Sequence, residues 1–216
     1  MKFWDLFITS LPSLLSGIRM TIIITAVALL AAAVIGLIAG LMNISSSKIA
    51  KSIAVVYIDL IRGTPLIVQA FFIYFGLPSI LNFKIDAVLA GIVAISLNAG
   101  AYMAEIFRAG INSIDKGQME AARSLGLPYS KAMMTVILPQ AVQRMIPAII
   151  NQVAISLKDT SILSVIGINE LTQSGEIIIA STYKSFQIWS MVGLLYLVII
   201  MSLTYASRKI ERYYRI

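Results

Sequence analysis

The feature that most constrains this chain is a long apolar segment, residues 18–42, in which Arg19 is the only charged residue. A helix of that length crosses the roughly 30 Å hydrocarbon layer of a lipid bilayer. Four further segments are long and apolar enough for the same role: residues 53–77, 87–107, 132–157 and 187–207. The sequence therefore predicts an all-α polytopic membrane protein of about five transmembrane helices, forming a single domain over residues 1–216.

Composition supports this class and excludes others. Hydrophobic residues make up 59% of the chain, charged residues 12%, and the mean hydropathy is +0.90; an ordinary soluble domain is roughly 45–50% apolar. The net charge of +7 indicates contact with the membrane surface rather than nucleic acid, because the basic residues lie at the ends of the apolar runs. Because the chain contains no cysteine and no histidine, disulfides, thiol chemistry and histidine-based metal sites are excluded.

A polar segment between two apolar runs, residues 115–139, is built like a short helix rather than an ordinary loop. Asp115 and Gln118 have the spacing of a capping box, which predicts that a helix begins there. Gly126 supplies the residue that tolerates positive φ at a helix end, and Ser130 is a candidate cap for the next helix. Spacing alone allows two interpretations: a docking helix for a partner protein, and a solvated connecting loop.

The residues in this segment favour docking. Glu120-Ala121-Ala122, followed by Gly126 and a closing Leu138-Pro139, resembles the EAA loop of ABC importer permeases; Val136 replaces the isoleucine usual there. Three other motifs are similar to those of the polar amino-acid uptake permeases: Arg62-Gly63-Thr64-Pro65, Asn98-Ala99-Gly100-Ala101-Tyr102 and Leu157-Lys158-Asp159-Thr160-Ser161. They occur in order, and the resemblance covers nearly the whole chain.

The resemblance implies a fold and a set of partners. The fold would be that of a type I ABC importer permease, with residues 115–139 forming a cytoplasmic coupling loop. The partners would be a second permease copy or paralogue, two ATPase subunits on the cytoplasmic face, and an external substrate-binding protein. The chain has no GxxxxGK[ST] sequence, so we expect no cofactor and no enzymatic activity here, with ATP and Mg²⁺ held by the ATPase. The residues implied in ATPase coupling are Glu120, Ala121, Ala122, Gly126 and Pro139.

The candidate substrate-binding residues are Asn98, Asn151 and Gln152, which place amide groups within two apolar segments. A buried amide must find a partner, so these residues form either ligand contacts or an interhelical packing network. They carry no charge, which favours a neutral or weakly polar amino acid, glutamine-like or cystine-like. A cationic amino acid is the alternative, and it would be better served by a carboxylate; Asp159 is the nearest in sequence, beside Lys158.

The candidate gating and structural residues surround a predicted break in the second span. Asp59 and Arg62 lie three residues apart and can pair on one helical face. Gly63, Thr64 and Pro65 then interrupt the helix, so we expect either a structural kink or a gating element near the cytoplasmic end. Lys158 and Asp159 form a second charged cluster, and Glu105 with Arg108 is expected to form a solvated ion pair.

Three further expectations concern helix boundaries. Residues 1–17 are expected to form a separate interfacial helix or the frayed start of the first span. Pro139 and Pro147 are expected to interrupt the fourth span. Residues 164–179 are expected to form a re-entrant or interfacial helix.

The distribution of basic residues predicts the orientation. One set of connecting segments holds ten lysines and arginines and the opposite set holds three, namely Lys2, Lys84 and Lys184. The basic side is cytoplasmic, which puts the N-terminus outside and the C-terminus and the docking segment inside. A secondary carrier, the less favoured alternative, would need ionisable relays inside the spans, and the first and fifth spans have none at mid-depth.

Overall fold

In the computed structural model, the described backbone covers residues 3–214 and the described side chains residues 3–209. The chain within that range is helical apart from short connections. The helices are α1 (Phe3–Asn43), α2 (Lys48–Arg62), α3 (Leu66–Leu81), α4 (Ala87–Asn112), α5 (Lys116–Ser124), α6 (Tyr129–Ile166), α7 (Leu171–Thr182) and α8 (Ser185–Tyr214). Lys2 and the basic tail at Arg212 and Arg215, used to predict the orientation, lie outside the described side chains.

Of the described helices, α1, α4, α6 and α8 are long and apolar enough to cross a membrane. Helices α2 and α3 provide a fifth span if the pair counts as one, although they are bent by 104° at the break between them. The all-helical fold class is confirmed, and so is the interruption of the second span.

Helix α1 is continuous from Phe3 to Asn43 and passes through Pro12 without a break. The expected separate interfacial helix at the N-terminus is therefore wrong. Its first half is held by tertiary contacts, because Leu6 and Leu14 are buried against residues of α7 and α8. That packing stabilises helical structure which the local sequence does not demand.

The packing face at Gly36 and Gly40 of α1 lies against α4. A Cβ atom at Gly36 would come within 2.6 Å of the Met103 Cβ atom and 2.9 Å of the Gly100 carbonyl oxygen. At Gly40, it would lie 3.1 Å from the Ala104 carbonyl oxygen. The two backbones can approach this closely because the interface residues are small.

Helix α6 runs past both of its prolines, but the α-helical pattern changes at the first of them. A π turn, Met133–Ile137, directly precedes Pro139 in the following α-helical segment, Leu138–Asp159. Because proline has no N–H to donate, the regular α-helical hydrogen bonds cannot continue through it, so the expected interruption at Pro139 takes the form of a π turn. The helix continues through Pro147 and ends in a 3₁₀ segment, Thr160–Ile166.

The 12-residue helix α7 is too short to cross a bilayer, which agrees with the re-entrant or interfacial helix expected there. Its N-cap residue, Glu170, is fully buried. Oε1 accepts a hydrogen bond from the Gln173 N–H at 2.8 Å, and Oε2 accepts one from the Tyr196 hydroxyl of α8 at 2.9 Å. Burial raises the pKa of the Glu170 carboxyl, and these hydrogen bonds partly oppose the increase.

Candidate functional site

The break between α2 and α3 borders a cavity of about 550 Å³, within the range of small-molecule sites. Helices α4 and α6 contribute the rest of its lining. Its polar lining consists of Arg62, Thr64, Asn98, Tyr102, Gln152 and Asp159. The fold therefore brings together two of the predicted substrate-binding residues, Asn98 and Gln152, with part of the predicted gate.

Gln69 organises the break. Pro65 has no N–H, so the Ile61 carbonyl loses its helical partner. The Gln69 side chain replaces it: Nε2 donates to the Ile61 carbonyl at 2.7 Å and to the Thr64 carbonyl at 3.0 Å. Irregular backbone inside a membrane protein requires such compensation. Gln69 is not among the residues predicted from the sequence, although a single amide within the apolar run Leu66–Phe71 was a usable signal.

Asn98 and Gln152 both have protein partners as well as a place in the cavity wall. Asn98 Nδ2 donates to Gln69 Oε1 at 3.0 Å, and Gln152 Nε2 donates to Ser156 Oγ at 3.3 Å. Only 8% of Asn98 and 4% of Gln152 are exposed. The packing network and the cavity lining are therefore the same set of side chains.

Asn151 does not line the cavity that contains Asn98. It is exposed and lines a second cavity, of about 600 Å³, which shares Tyr102 and Gln152 with the first. Successive residues of an α-helix point about 100° apart, so Asn151 and Gln152 present different faces of α6. Gln152 lines the cavities of both Asn98 and Asn151, and the grouping of the three as substrate-binding residues stays a prediction.

Lys158 and Asp159 also separate. Lys158 is exposed, whereas Asp159 is half-buried and lines the cavity that contains Asn98. The carboxylate that is nearest in sequence to the candidate substrate-binding amides thus lies in the same cavity wall as Asn98 and Gln152. The two side chains differ in burial, but the positive charge of Lys158 still acts on Asp159, so their interpretation as a charged cluster stays a prediction.

Arg62 pairs with Glu105 of α4, and the predicted Asp59–Arg62 pair is wrong. Arg62 Nη1 lies 3.7 Å from Glu105 Oε2, and the guanidinium carbon lies 5.3 Å from the centroid of the Tyr102 ring. The expected pair of Glu105 and Arg108 is confirmed, with Nε–Oε1 at 3.1 Å and Nη2–Oε2 at 2.7 Å. Asp59 lines a third cavity, of about 500 Å³, which Arg62 and Glu105 also border.

The predicted helix of the polar segment is present as α5. Asp115 is its N-cap, with Oδ1 accepting from the Gly117 N–H at 2.7 Å. The second bond of the predicted capping box, from the Asp115 N–H to the Gln118 side chain, is wrong. The Gln118 side chain accepts instead from Gln140 of α6 at 3.4 Å. Ser130 does not cap the next helix, whose N-cap position is Pro128.

Helix α5 ends as predicted at Gly126, which has φ +83°. The Gly126 N–H donates to the Arg123 carbonyl at 3.0 Å, and the Leu127 N–H donates to the Ala122 carbonyl at 3.2 Å. These are the two bonds of a Schellman motif. They fix the direction in which the chain leaves the helix.

The two sides of α5 differ in exposure. Glu120 and Ala121 are exposed, and Leu125 is 84% exposed. Ala122 is buried, at 4% exposure, so it packs α5 against the rest of the chain and is not part of the outer face. Pro139 is exposed, but on α6.

Arg144 connects α6 to the connection that precedes α5. Its Nη1 atom donates to the carbonyl of Ser113, and Gln140 of the same helix holds Gln118. This role of Arg144 and Gln140 is not among the predictions from the sequence. Because α6 also carries Gln152, this one helix contacts α5 and the connection before it and also lines the cavity that contains Asn98.

Comparison with known proteins gives a consistent result. Residues 32–216 match the family described as binding-protein-dependent transport system inner membrane component. The chain is 44% identical to the glutamine transport system permease protein GlnP of Escherichia coli K12, covering 97% of this chain and 96% of the relative. It is 40% identical to the arginine transport system permease protein ArtQ of Bacillus subtilis 168, covering 95% and 94%.

Solved structures agree with the fold. The crystal structure of an amino acid ABC transporter with histidines contains a chain that is 39% identical, with a TM-score of 0.93 and 98% of both chains covered. An inward-facing structure of the MetNI methionine ABC transporter matches at a TM-score of 0.78 and 20% identity, covering 94% of this chain and 96% of that one. At that identity the second likeness concerns the fold alone.

Proposed function

This chain belongs to the family of inner membrane components of binding-protein-dependent transport systems, and from that premise we propose that it is the permease subunit of an ATP-driven amino-acid importer. The observation that carries the proposal is α5: a short helix, capped at both ends, whose outer face at Glu120, Ala121 and Leu125 is exposed. Exposed apolar side chains on such a rigid element suit a protein partner.

The proposed partner of α5 is an ATPase subunit that binds ATP and Mg²⁺. The chain has no phosphate-binding loop sequence of its own, so a second polypeptide must supply the energy. Movement of the ATPase would reach the cavity through α6, because Gln140 holds Gln118 of α5 and Arg144 holds Ser113 in the connection before α5. Two ATPase subunits, a second permease copy or paralogue and an external binding protein complete the proposed complex.

The proposed substrate is a neutral, polar amino acid of the glutamine type. The amides of Asn98 and Gln152 in the cavity wall suit a polar side chain, and the relative in Escherichia coli is a glutamine transport permease. A cationic amino acid is the second candidate, because Asp159 also lines the cavity and another relative is an arginine transport permease. Cystine is a third candidate on polarity alone.

The proposed orientation puts α5 and the C-terminus in the cytoplasm and the N-terminus outside, with the chain in the cytoplasmic membrane. It rests on the excess of basic residues on the α5 side. The absence of native cysteine allows a direct test with single-cysteine variants, Ser124→Cys in α5 and Asn82→Cys after α3. An impermeant maleimide should label only the second in intact cells; labelling of the first would reverse the orientation.

The function is tested by co-purification and ATPase assay. The chain is expressed with the ATPase and binding protein encoded beside it, extracted from the membrane and assayed with a panel of amino acids. We expect the ATPase to co-purify and one polar amino acid, with its binding protein, to stimulate hydrolysis. A chain that purifies alone and drives uptake with an ion gradient instead of ATP would be an ion-coupled carrier, contrary to the proposal.

A further inference from the structure

We propose that the third cavity, of about 500 Å³, binds the headgroup phosphate of an anionic phospholipid in the cytoplasmic leaflet of the membrane. This inference goes beyond the proposed transport and requires only that the chain lies in a bilayer with α5 on the cytoplasmic side. The cavity lies between α2 and the C-terminal ends of α1 and α4, at Asn43 and Asn112. Because α5 follows α4 directly, the cavity and α5 lie toward the same face of the membrane.

Helix α2 has the form of a helix at the membrane surface. It lies across the direction of α3, because the two helices are bent by 104° at the break. One side of α2 is buried against the protein, at Ala54, Ile58 and Ile61. A second side is apolar but exposed, and its residues recur at helical spacing: Ile49, Ile53, Val56 and Leu60. A helix with such a lipid-facing side and a charged side next to it suits the boundary between acyl chains and headgroups.

The charged side of α2 forms one wall of the cavity, through Lys51, Asp59 and Arg62. With a turn of about 100° per residue, this side lies between the buried side and the exposed apolar side. A phospholipid has the same division into a polar headgroup and apolar chains. A headgroup in the cavity therefore allows its acyl chains to run along the apolar side of the same helix, whereas a soluble anion would use the polar wall alone.

The charge of the cavity lining suits a phosphodiester. The cations of the lining are Lys51, Arg62 and Arg108, and its anions are Asp59 and Glu105, which leaves one net positive charge. The phosphodiester of a phospholipid carries one negative charge, so the occupied cavity would be neutral. Basic pockets between membrane helices on the cytoplasmic side are typical binding sites of anionic lipid headgroups.

Hydrogen-bond donors remain available for the phosphate oxygens. Both oxygens of Glu105 accept from Arg108, at 3.1 and 2.7 Å, and Oε1 also accepts from Asn43 at 3.4 Å. These bonds use Nε and Nη2 of Arg108, and a guanidinium has five N–H donors, so some of them stay free. Lys51 is exposed and has no carboxylate partner among the described side chains. The Lys51 ammonium and the free N–H groups of Arg108 are thus the proposed ligands of the phosphate.

A bound phosphate joins α2 to α4, because Lys51 lies on the first helix and Arg108 on the second. The ion pair that the structure shows between these helices is long, with Arg62 Nη1 at 3.7 Å from Glu105 Oε2. The lipid therefore adds a connection at a place where the protein itself provides a weak one. Because a ligand that binds only the folded state stabilises it, we expect anionic lipid to raise the unfolding temperature of the chain.

The test titrates the purified chain, in a neutral detergent, with two lipids that have the same acyl chains. Phosphatidylglycerol is anionic, and phosphatidylcholine is zwitterionic. The unfolding temperature, followed by the fluorescence of Trp4 and Trp189, gives the mole fraction of each lipid that half-saturates the site. We expect wild type to bind phosphatidylglycerol at least about tenfold more tightly than phosphatidylcholine. Lys51→Gln should weaken the binding of phosphatidylglycerol about fivefold and leave that of phosphatidylcholine unchanged.

Two variants and one soluble probe make the result specific. Lys48→Gln removes the same charge from the same end of α2, but Lys48 is exposed and does not border the cavity, so its effect should stay below about twofold. Asp59→Asn removes an anion from the cavity wall and should tighten the binding of phosphatidylglycerol several-fold. Glycerophosphoglycerol, the same headgroup without acyl chains, should not raise the unfolding temperature at a matched concentration.

The opposite results would overturn the proposal. Unchanged binding of phosphatidylglycerol in Lys51→Gln, an equal loss in Lys48→Gln, or no tightening in Asp59→Asn would exclude this cavity as the binding site. Equal stabilisation by glycerophosphoglycerol would assign the cavity to a soluble phosphate and exclude the lipid. No transported substrate and no ATPase takes part in the measurement, so its outcome is independent of the proposed function.

Discussion

Asn98 Nδ2 donates a hydrogen bond to Gln69 Oε1 at 3.0 Å, and this bond joins the centre of α4 to the break between α2 and α3, which Gln69 stabilises. Both side chains are buried. The Gln69 Nε2 atom donates to the Ile61 carbonyl, which has no helical partner because Pro65 lacks an N–H. One side chain therefore stabilises the break and fixes an amide of the cavity wall.

Replacing Gln69 with leucine should destabilise the protein markedly. The change leaves the Ile61 carbonyl with only the long contact of the Thr64 hydroxyl, at 3.4 Å, and removes the acceptor of Asn98 Nδ2. An unsatisfied buried polar group costs about 1–3 kcal/mol. The control is Gln143→Leu, at an exposed glutamine of α6, which should change little. Thermal unfolding followed by the fluorescence of Trp4 and Trp189 measures both; equal unfolding temperatures in the two variants would contradict the role of Gln69.

Replacing Gly126 with valine should uncouple ATP hydrolysis from uptake. A Cβ atom at this position meets nothing within 4 Å, so the obstacle is the φ of +83°, which costs a β-branched residue about 1–2 kcal/mol or more. The Schellman motif should open and α5 should lose its exit direction. Gly126→Asn, which tolerates this conformation, should remain coupled; the ratio of ATP hydrolysed to substrate transported is the measurement.

Replacing Leu125 with glutamate should weaken ATPase association without destabilising the permease. The side chain is 84% exposed, so the chain itself loses little packing, whereas an apolar contact with a partner becomes a charge. Leu81→Glu, at another exposed leucine on the opposite face in the proposed orientation, is the control. The yield of co-purified ATPase should fall at least tenfold for the first variant alone; equal yields would place the ATPase contact elsewhere.

Replacing Glu170 with glutamine should flatten the dependence of stability on pH. The folded-state pKa of this carboxyl is raised by burial, so the folded protein binds its proton more readily than the unfolded chain. Its contribution to stability is complete below the ordinary carboxyl pKa and is lost as the pH rises through the raised value. Unfolding temperatures of wild type should thus fall relative to Glu170→Gln across that window; parallel curves would mean that Glu170 does not titrate there.

Replacing either of two glycines in the spans with alanine should change stability, in opposite directions. Gly36→Ala should destabilise the contact between α1 and α4, because the new methyl group would meet the Met103 side chain at 2.6 Å and the Gly100 carbonyl at 2.9 Å. Gly193→Ala meets nothing within 4 Å and should gain up to about 1 kcal/mol from the better helix propensity of alanine. Unfolding temperatures that move together would exclude α1–α4 packing as the cause.

The sequence by itself determined the apolar helices, the break at Gly63–Thr64–Pro65 and the capped helix that ends at Gly126. These features depend on local physics: segment length against bilayer thickness, a missing proline N–H, and a backbone conformation that glycine adopts freely. They were predictable because each is encoded within a few neighbouring residues.

Only the tertiary structure decided which side chains meet. In the adjacent pairs Asn151 and Gln152, and Lys158 and Asp159, only the second residue lines the cavity that contains Asn98, because a helix turns about 100° per residue. The partner of Arg62 is Glu105, more than forty positions away in the chain, rather than the nearby Asp59. Gln69, Asn98 and Asp159 acquire their roles from contacts between helices, and spacing along the chain does not specify how helices pack.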